Sequence, residues 1–276
     1  MTAKPDPSSS MPADLVKKGG MPNAQRHEEL YFEGDHIVLA LGPRPTLFRV
    51  QRAMLVIQSE TFRDMLEIPP PREGGVGSSV EGSSDDNPIF LPDDPEEFAC
   101  ALKVYYQHML TPLPEKPDFD FIMGVLRIAS KYNFKRASEW ALGTLRADWA
   151  RTSSTWTGYL TNPTPPPGLA QNALKLILAS RSTGSTEFLP TAFYFLCVFD
   201  NWGNVTPGDG PTLAQDDFII LLKGSRCLTR AWGTWRAQRQ SQYGSNNTAS
   251  YEAQWWKDFV GNNSTITTVF QSMGFA

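Results

Sequence analysis

The chain has 276 residues, of which 41% are hydrophobic and 20% charged; these are the proportions of a folded globular protein and exclude a collagen-like rod, a coiled coil and wholesale disorder. Twenty-five Lys and Arg against 29 Asp and Glu give a formal charge of −4, which excludes a protein whose main task is neutralising phosphates or anionic lipid. No apolar run approaches the ~20 residues of a membrane helix, Met1 to Gly20 lacks the apolar centre of an export signal, and Cys100, Cys197 and Cys227 are widely spaced. The expectation is an intracellular protein, cytoplasmic or nuclear, with reduced thiols, no membrane partner and no direct nucleic-acid contact.

Residues 1–29 are rich in Pro, Ser and small side chains without periodicity and are expected as a disordered tail. Ile37, Leu39 and Leu41 alternate as in a strand, and Thr46 to Val50 forms a second strand joined through Gly42-Pro43-Arg44-Pro45, a hairpin. A helical pattern starts at Arg52. Ser59 reads as an N-cap before Phe62, Met65 and Leu66, so two short helices precede the stop at Pro69-Pro70-Pro71. Between Arg72 and Asn87, Gly, Ser and acidic residues fill 12 of 16 positions, the composition of a flexible insertion.

Ile89-Phe90-Leu91 reads as a brief strand. Asp94-Pro95-Glu96-Glu97 then carries a capping acid, a proline suited to the first helical position and acids at the positive end of the helix dipole. Phe98, Ala101, Leu102, Tyr105 and Met109 form the stripe of the helix that follows, and Phe121, Val125, Ile128, Ala129 and Tyr132 that of the next. Asn133 breaks it, and Ala137, Ala141 and Leu145 mark a third helix with small residues that permit close approach.

Gly34-Asp35-His36-Ile37-Val38-Leu39, Leu47-Phe48-Arg49-Val50-Gln51-Arg52 and Leu55 to Ser59 with Phe62 and Met65, followed by Leu91-Pro92-Asp93-Asp94-Pro95 and Leu126 to Asn133, together resemble a BTB/POZ domain over residues 30–150. The resemblance implies an α/β (α+β) fold, a small sheet flanked by helices. It also implies a protein interaction module that forms homodimers, with Asp35, Ile37, Leu39, Arg52, Leu55 and Phe62 as dimer-interface candidates. Gln51 departs from the family, where a His often precedes the basic residue. Leu113-Pro114-Glu115 resembles the hydrophobic-x-acidic pattern of cullin-binding members, which makes Leu113 and Glu115 the candidates for that contact.

A proline-rich linker is expected at 151–170, followed by a helical C-terminal region at 171–276. Its signals are the stripe of Ala173, Leu174, Ile177 and Leu178, a helix opened by Pro190, and Leu213 to Leu222. Phe188 to Tyr194 and Leu221 to Arg226 resemble the C-terminal part of BTB proteins expanded in mushroom-forming fungi. Trp232, Trp235, Trp255 and Trp256 suit either core packing or an exposed patch for a partner.

Chemistry is sparse in the sequence. His27, His36, His108 and the three cysteines show no paired ligand spacing, no Gly-x-Ser-x-Gly is present, and the glycines at 74, 75 and 77 do not lead into Lys-Thr. No metal, cofactor or catalytic residue is expected. The reading is a dimeric adaptor or scaffold that binds itself, a cullin and a further protein held by the C-terminal helices. A transcriptional corepressor scaffold and an enzyme with its site in the helical half are the alternatives.

Overall fold

The computed structural model of the protein describes residues 24–67, 81–106, 113, 115–162, 166–199, 212–243 and 248–275. Strands β1 (Gln25–Tyr31), β2 (His36–Leu41), β3 (Thr46–Gln51) and β4 (Ile89–Leu91) form one sheet in the order β1-β3-β2-β4. The expected hairpin of β2 and β3 pairs antiparallel from His36↔Gln51 to Leu41↔Thr46, while β1 and β4 add in parallel at the two edges. Ile37, Leu39 and Leu41 enter the main core; Val38, Ala40 and Leu47 form a small cluster on the opposite face.

β1 corrects the expectation of a disordered tail to residue 29. It is a polar strand with one apolar anchor, Leu30, which is fully buried. The ring of His27 lies 4.6 Å from that of Phe48. So polar a strand carries almost no hydrophobic periodicity.

The polar stretch 72–87 is corrected in its last part; residues 72–80 lie outside the described residues, as do the three prolines before them. Gly82 donates its N–H to Asn87 at 2.6 Å and accepts from the Val38 N–H at 2.8 Å. It holds φ at +81°, and a Cβ there would lie 2.6 Å from Ile37 Cγ1, so only glycine fits. Asp85 accepts from the Tyr31 hydroxyl at 2.5 Å and from Arg26 Nη2 at 2.8 Å, and it pairs with Arg49 at 3.4 Å. Both guanidiniums also stack on the Tyr31 ring. A segment too polar for a core is thus ordered by its charges.

Helices α1 (Arg52–Gln58) and α2 (Glu60–Glu67) meet at Ser59, whose hydroxyl accepts from the Phe62 N–H at 3.0 Å as the N-cap pattern requires. Asp94 caps α3 (Pro95–Tyr106) by accepting from the N–H groups of Glu96 and Glu97 at 2.9 and 3.1 Å. Asp118 caps α4 (Phe119–Lys131) through Phe121 at 2.7 Å. Asn133 then turns the chain at φ +52° into α5 (Lys135–Trp149). Phe62 packs against Tyr132, Phe134 and Phe98, with centroids 4.9 to 6.3 Å apart, so α2, α3 and the turn between α4 and α5 share one aromatic centre.

The expected linker is corrected too. Ser153 caps α6 (Ser154–Thr161), which buries Trp156 and Leu160. Proline content alone suggested a spacer, but the apolar pair at i, i+4 preceding the prolines makes a two-turn helix worth burying. Beyond it come α7 (Leu169–Thr183), α8 (Leu189–Phe199), α9 (Gln215–Tyr243), α10 (Thr248–Val260) and α11 (Asn263–Met273). α8 is buried nearly all round, the mark of a central helix. Tyr194 on it donates to the Val260 carbonyl at 2.8 Å, and Trp149 of α5 packs edge-on to Phe195. Arg181 of α7 donates Nη2 to the buried Asp217 of α9 at 2.6 Å. The two halves therefore share a single continuous core.

Two measurements test this construction. Asp85→Asn should cost about 1–3 kcal/mol at pH 7, the range for hydrogen bonds to a charged group, read as a denaturant midpoint. Burial alone would raise the Asp85 pKa. The hydrogen bonds from Tyr31 and Arg26 and the charges of Arg26 and Arg49 outweigh it, so the group sits below its ordinary 3.8. The stabilisation is then complete above the unfolded pKa of about 3.9 and is lost as pH falls through the lower folded value, where Asp85→Asn and the parent should converge. In α9, a Cβ on Gly224 would stand 2.6 Å from Met273 Sδ and 2.7 Å from Cys197 Sγ. Gly224→Val should therefore lower stability by about 1–3 kcal/mol through overpacking, with a matching fall in the thermal midpoint.

Candidate interaction surfaces

The six residues expected at a dimer face separate into two groups. Ile37, Leu39, Leu55 and Phe62 are buried inside the single chain, between 0 and 2% exposed, and hold its core together. Asp35 is exposed and Arg52 half-buried, beside the paired His36 and Gln51 that end the hairpin. Arg52 donates Nη2 to the Leu66 carbonyl at 2.9 Å, which ties the start of α1 to the end of α2.

The burial pattern of α1 explains the division. A helix on the edge of a core turns one face inward, and here only Leu55 is buried. Ile57, two residues on, faces the opposite way and is 65% exposed, the most exposed of the large hydrophobic side chains described. Met54 and Val56 are half-buried beside it. A run of four consecutive apolar residues was readable in Met54-Leu55-Val56-Ile57; which of them faced water was not, because that depends on how α1 leaves β3.

Leu113 packs in part against the main core, and Glu115 is exposed. Residues 107–112 and 114 lie outside the described residues, and with them His108 and Met109.

Of the histidines and cysteines weighed for chemistry, those among the described residues are held locally. His27 accepts through Nδ1 from the N–H groups of Glu29 and Leu30 at 3.1 and 3.2 Å, and burial, followed by the charge of Lys103, lowers its pKa. His36 Nδ1 lies against the Gly34 carbonyl. Burial pushes the Cys100 thiol up to about 11, so it stays protonated at neutral pH. Cys197 is buried with Sγ 3.7 Å from the Leu221 carbonyl. Among the described residues, no group of three or more His, Cys, Asp or Glu could hold a metal ion, and no helix is long and apolar enough to cross a membrane.

Three tryptophans of α9 and α10 gather around Phe259. Trp232, Trp235 and Trp256 approach its ring at 5.3, 5.6 and 5.8 Å, and Trp255 is buried. They join α9 to α10, which favours the core reading over an exposed patch.

The surface that the sequence reading missed is the outer face of α9. Asp217, Leu221, Gly224 and Leu228 face inward at steps of three and four, and Phe218, Ile219 and Leu222 are left 45, 40 and 48% exposed. One turn further on, Lys223, Arg226 and Arg230 are exposed and line a cavity of about 460 Å³ with Thr234 of the same helix and Ser272 of α11. Their i, i+3, i+7 spacing was the available signal.

No family model, curated protein or solved structure matches the chain.

Proposed function

We propose that this chain is a protein interaction module of the BTB/POZ kind, a homodimeric adaptor or scaffold. The observation that carries the reading is the solvent-facing Ile57 on α1, a helix whose one fully buried residue is Leu55. The order of elements supports it: a hairpin, two short helices, a strand and three helices follow one another as the resemblance requires.

The dimer is a two-fold contact in which α1 of one copy meets α1 of the next. In such an isologous interface every apolar group counts twice, and burying an exposed Ile contributes about 1.5–3 kcal/mol. A stable dimer needs about 800 Å² from each partner, more than a two-turn helix provides. The face therefore extends from Ile57 and Met54 toward Asp35 and Arg52 at the end of the hairpin. Ile37, Leu39, Leu55 and Phe62 support this face from behind.

Adaptor function then divides along the chain. The sheet and α1–α5 supply the self-association, the loop with Leu113 and Glu115 faces a cullin, and the C-terminal helices hold a further protein. Glu115 is exposed as a contact residue must be, whereas Leu113 shares its side chain with the core and presents only part of it.

Light scattering of the purified chain should give twice its 30.7 kDa, and Ile57→Asp should give the monomer with unchanged circular dichroism, since exposed positions shift stability by about 0.5 kcal/mol or less. A monomeric parent, or a variant that stays dimeric, removes the proposed face. Separately, Leu113→Ala with Glu115→Ala should abolish co-purification of a cullin with the full chain. Retention of the cullin in that variant would refute its binding through this loop.

A further inference from the structure

We infer that the outer face of α9 is a docking groove for an acidic protein segment in which carboxylates alternate with apolar side chains. The inference gives the C-terminal half of the proposed adaptor its own partner, and it stands on charges and shape that lie away from α1.

The cations come first. Lys223, Arg226 and Arg230 lie at i, i+3 and i+7, a spacing that puts them on one helix face, where like charges repel. Such repulsion is ordinarily relieved by carboxylates on the neighbouring helix. The helix packed alongside is α11, and its sequence from Asn263 to Met273 contains no charged residue. The other charges of α9 are committed: Asp217 to Arg181, Arg236 to Glu252, and Arg239 to the ring of Trp235. Asp216, exposed in the first turn, is the one carboxylate of the helix outside these contacts, and it lies two turns from Lys223. Among the described residues, no ion pair neutralises the three cations.

Shape then limits the occupant. The cations rim a cavity of about 460 Å³ with the hydroxyls of Thr234 and Ser272. Leu222, Ser225, Arg226 and Thr229 border an adjoining hollow of about 540 Å³. Arg226 borders both, so the two shallow hollows adjoin, with the cations along one and Leu222 on the other; the exposed Phe218 and Ile219 precede Leu222 by about one turn, outside the hollows. A nucleic acid would use the cations and leave the apolar side chains in water. An extended acidic peptide satisfies both halves, its carboxylates accepting from Lys and Arg and its apolar side chains covering Leu222 and its neighbours.

The probe is a fluorescently labelled peptide alternating Glu or Asp with Leu or Phe, titrated by anisotropy against the full chain. Binding should weaken as salt is raised. It should fall about tenfold or more in a variant combining Lys223→Gln, Arg226→Gln and Arg230→Gln, since rim and groove charges set both encounter and hold. Leu222→Ser should weaken it severalfold without altering the salt dependence. Gln retains helix propensity close to that of Lys and Arg, and circular dichroism of each variant establishes that loss of binding is not loss of fold.

Absence of binding to the parent chain, or equal binding by the Gln variant, overturns the inference. So does equal affinity for a peptide of Glu alone, or tighter binding to single-stranded oligonucleotide or to phosphatidylserine vesicles. A change of oligomeric mass in the Gln variant would assign the face to a second copy instead. An Ile57→Asp monomer that still binds the peptide would keep the groove, and a parent chain that is monomeric yet binds it would keep the groove while removing the α1 dimer.

Discussion

Ser59 fixes the geometry on which the first half of the molecule depends. It is fully buried, it interrupts the helical run after β3, and its hydroxyl serves two masters: it accepts from the Phe62 N–H and donates to the carbonyl of Tyr132. A buried hydroxyl left without partners would cost on the order of 1–3 kcal/mol. Here the same atom starts α2 and binds it to the end of α4, far away in sequence. Phe62 is thereby set against Tyr132 and Phe134, and the bridge between Ser59 and Phe134 makes the attachment two-sided. With α2 anchored, α1 has little rotational freedom. Leu55 must point inward, and Ile57 must then point out. The apolar exposure that carries the functional proposal is a geometric consequence of a buried hydrogen bond.

The second half depends on α8 in a comparable way. A helix apolar on all sides cannot sit at a surface, so neighbours must cover it. α7 and α9 do so on two sides and are bound to each other by Arg181 and Asp217, a pair whose carboxylate is almost fully covered and whose guanidinium is still partly in water. α11 closes over α9 and α8 where Gly224 allows the backbones to come near Met273 and Cys197. α6 completes the enclosure through Trp156, whose indole N–H donates to the Thr191 carbonyl at 3.4 Å. Because α6 follows α5 without a spacer, the core of the sheet domain runs into that of the helices, and the C-terminal region is a continuation of the first half.

What the sequence disclosed follows from how strongly each element is patterned. The hairpin, the caps at Ser59 and Asp94, the break at Asn133 and the stripes of α4, α5 and, as far as Tyr105, α3 rest on local rules and are found. The elements not foreseen are those held by long-range pairing. β1 is ordered by a ladder to β3, by the buried Leu30 and by its contacts to Phe48 and Asp85; the segment from 81 to 87 is ordered by Gly82 against Ile37 and by Asp85 among Arg26, Tyr31 and Arg49. Glycine, serine and aspartate look like a flexible insertion until a partner strand supplies the missing bonds. The candidate site was legible in kind and not in residues. The run Met54-Leu55-Val56-Ile57 places apolar side chains around α1, but its inner and outer faces are decided by Tyr132 and Phe134, which stand more than seventy residues later in the chain.

The two exposed surfaces share a physical logic. A folded chain gains from covering apolar groups and from pairing charges, so residues that do neither mark places where folding left something unsatisfied. α1 leaves Ile57 uncovered because its one inward turn is used by Leu55. α9 is 29 residues long, and its inward stripe of Asp217, Leu221, Gly224 and Leu228 is enough to seal α8 and seat α11. A surface shaped only by solubility would mix its charge signs and avoid neighbouring hydrophobics. Instead, three cations of one sign line one shallow hollow, and the exposed Leu222 borders the one beside it. One surface lacks apolar cover and the other lacks both cover and counter-charge, so their partners must differ in chemistry: a self-complementary apolar face for α1, and an acidic segment for α9.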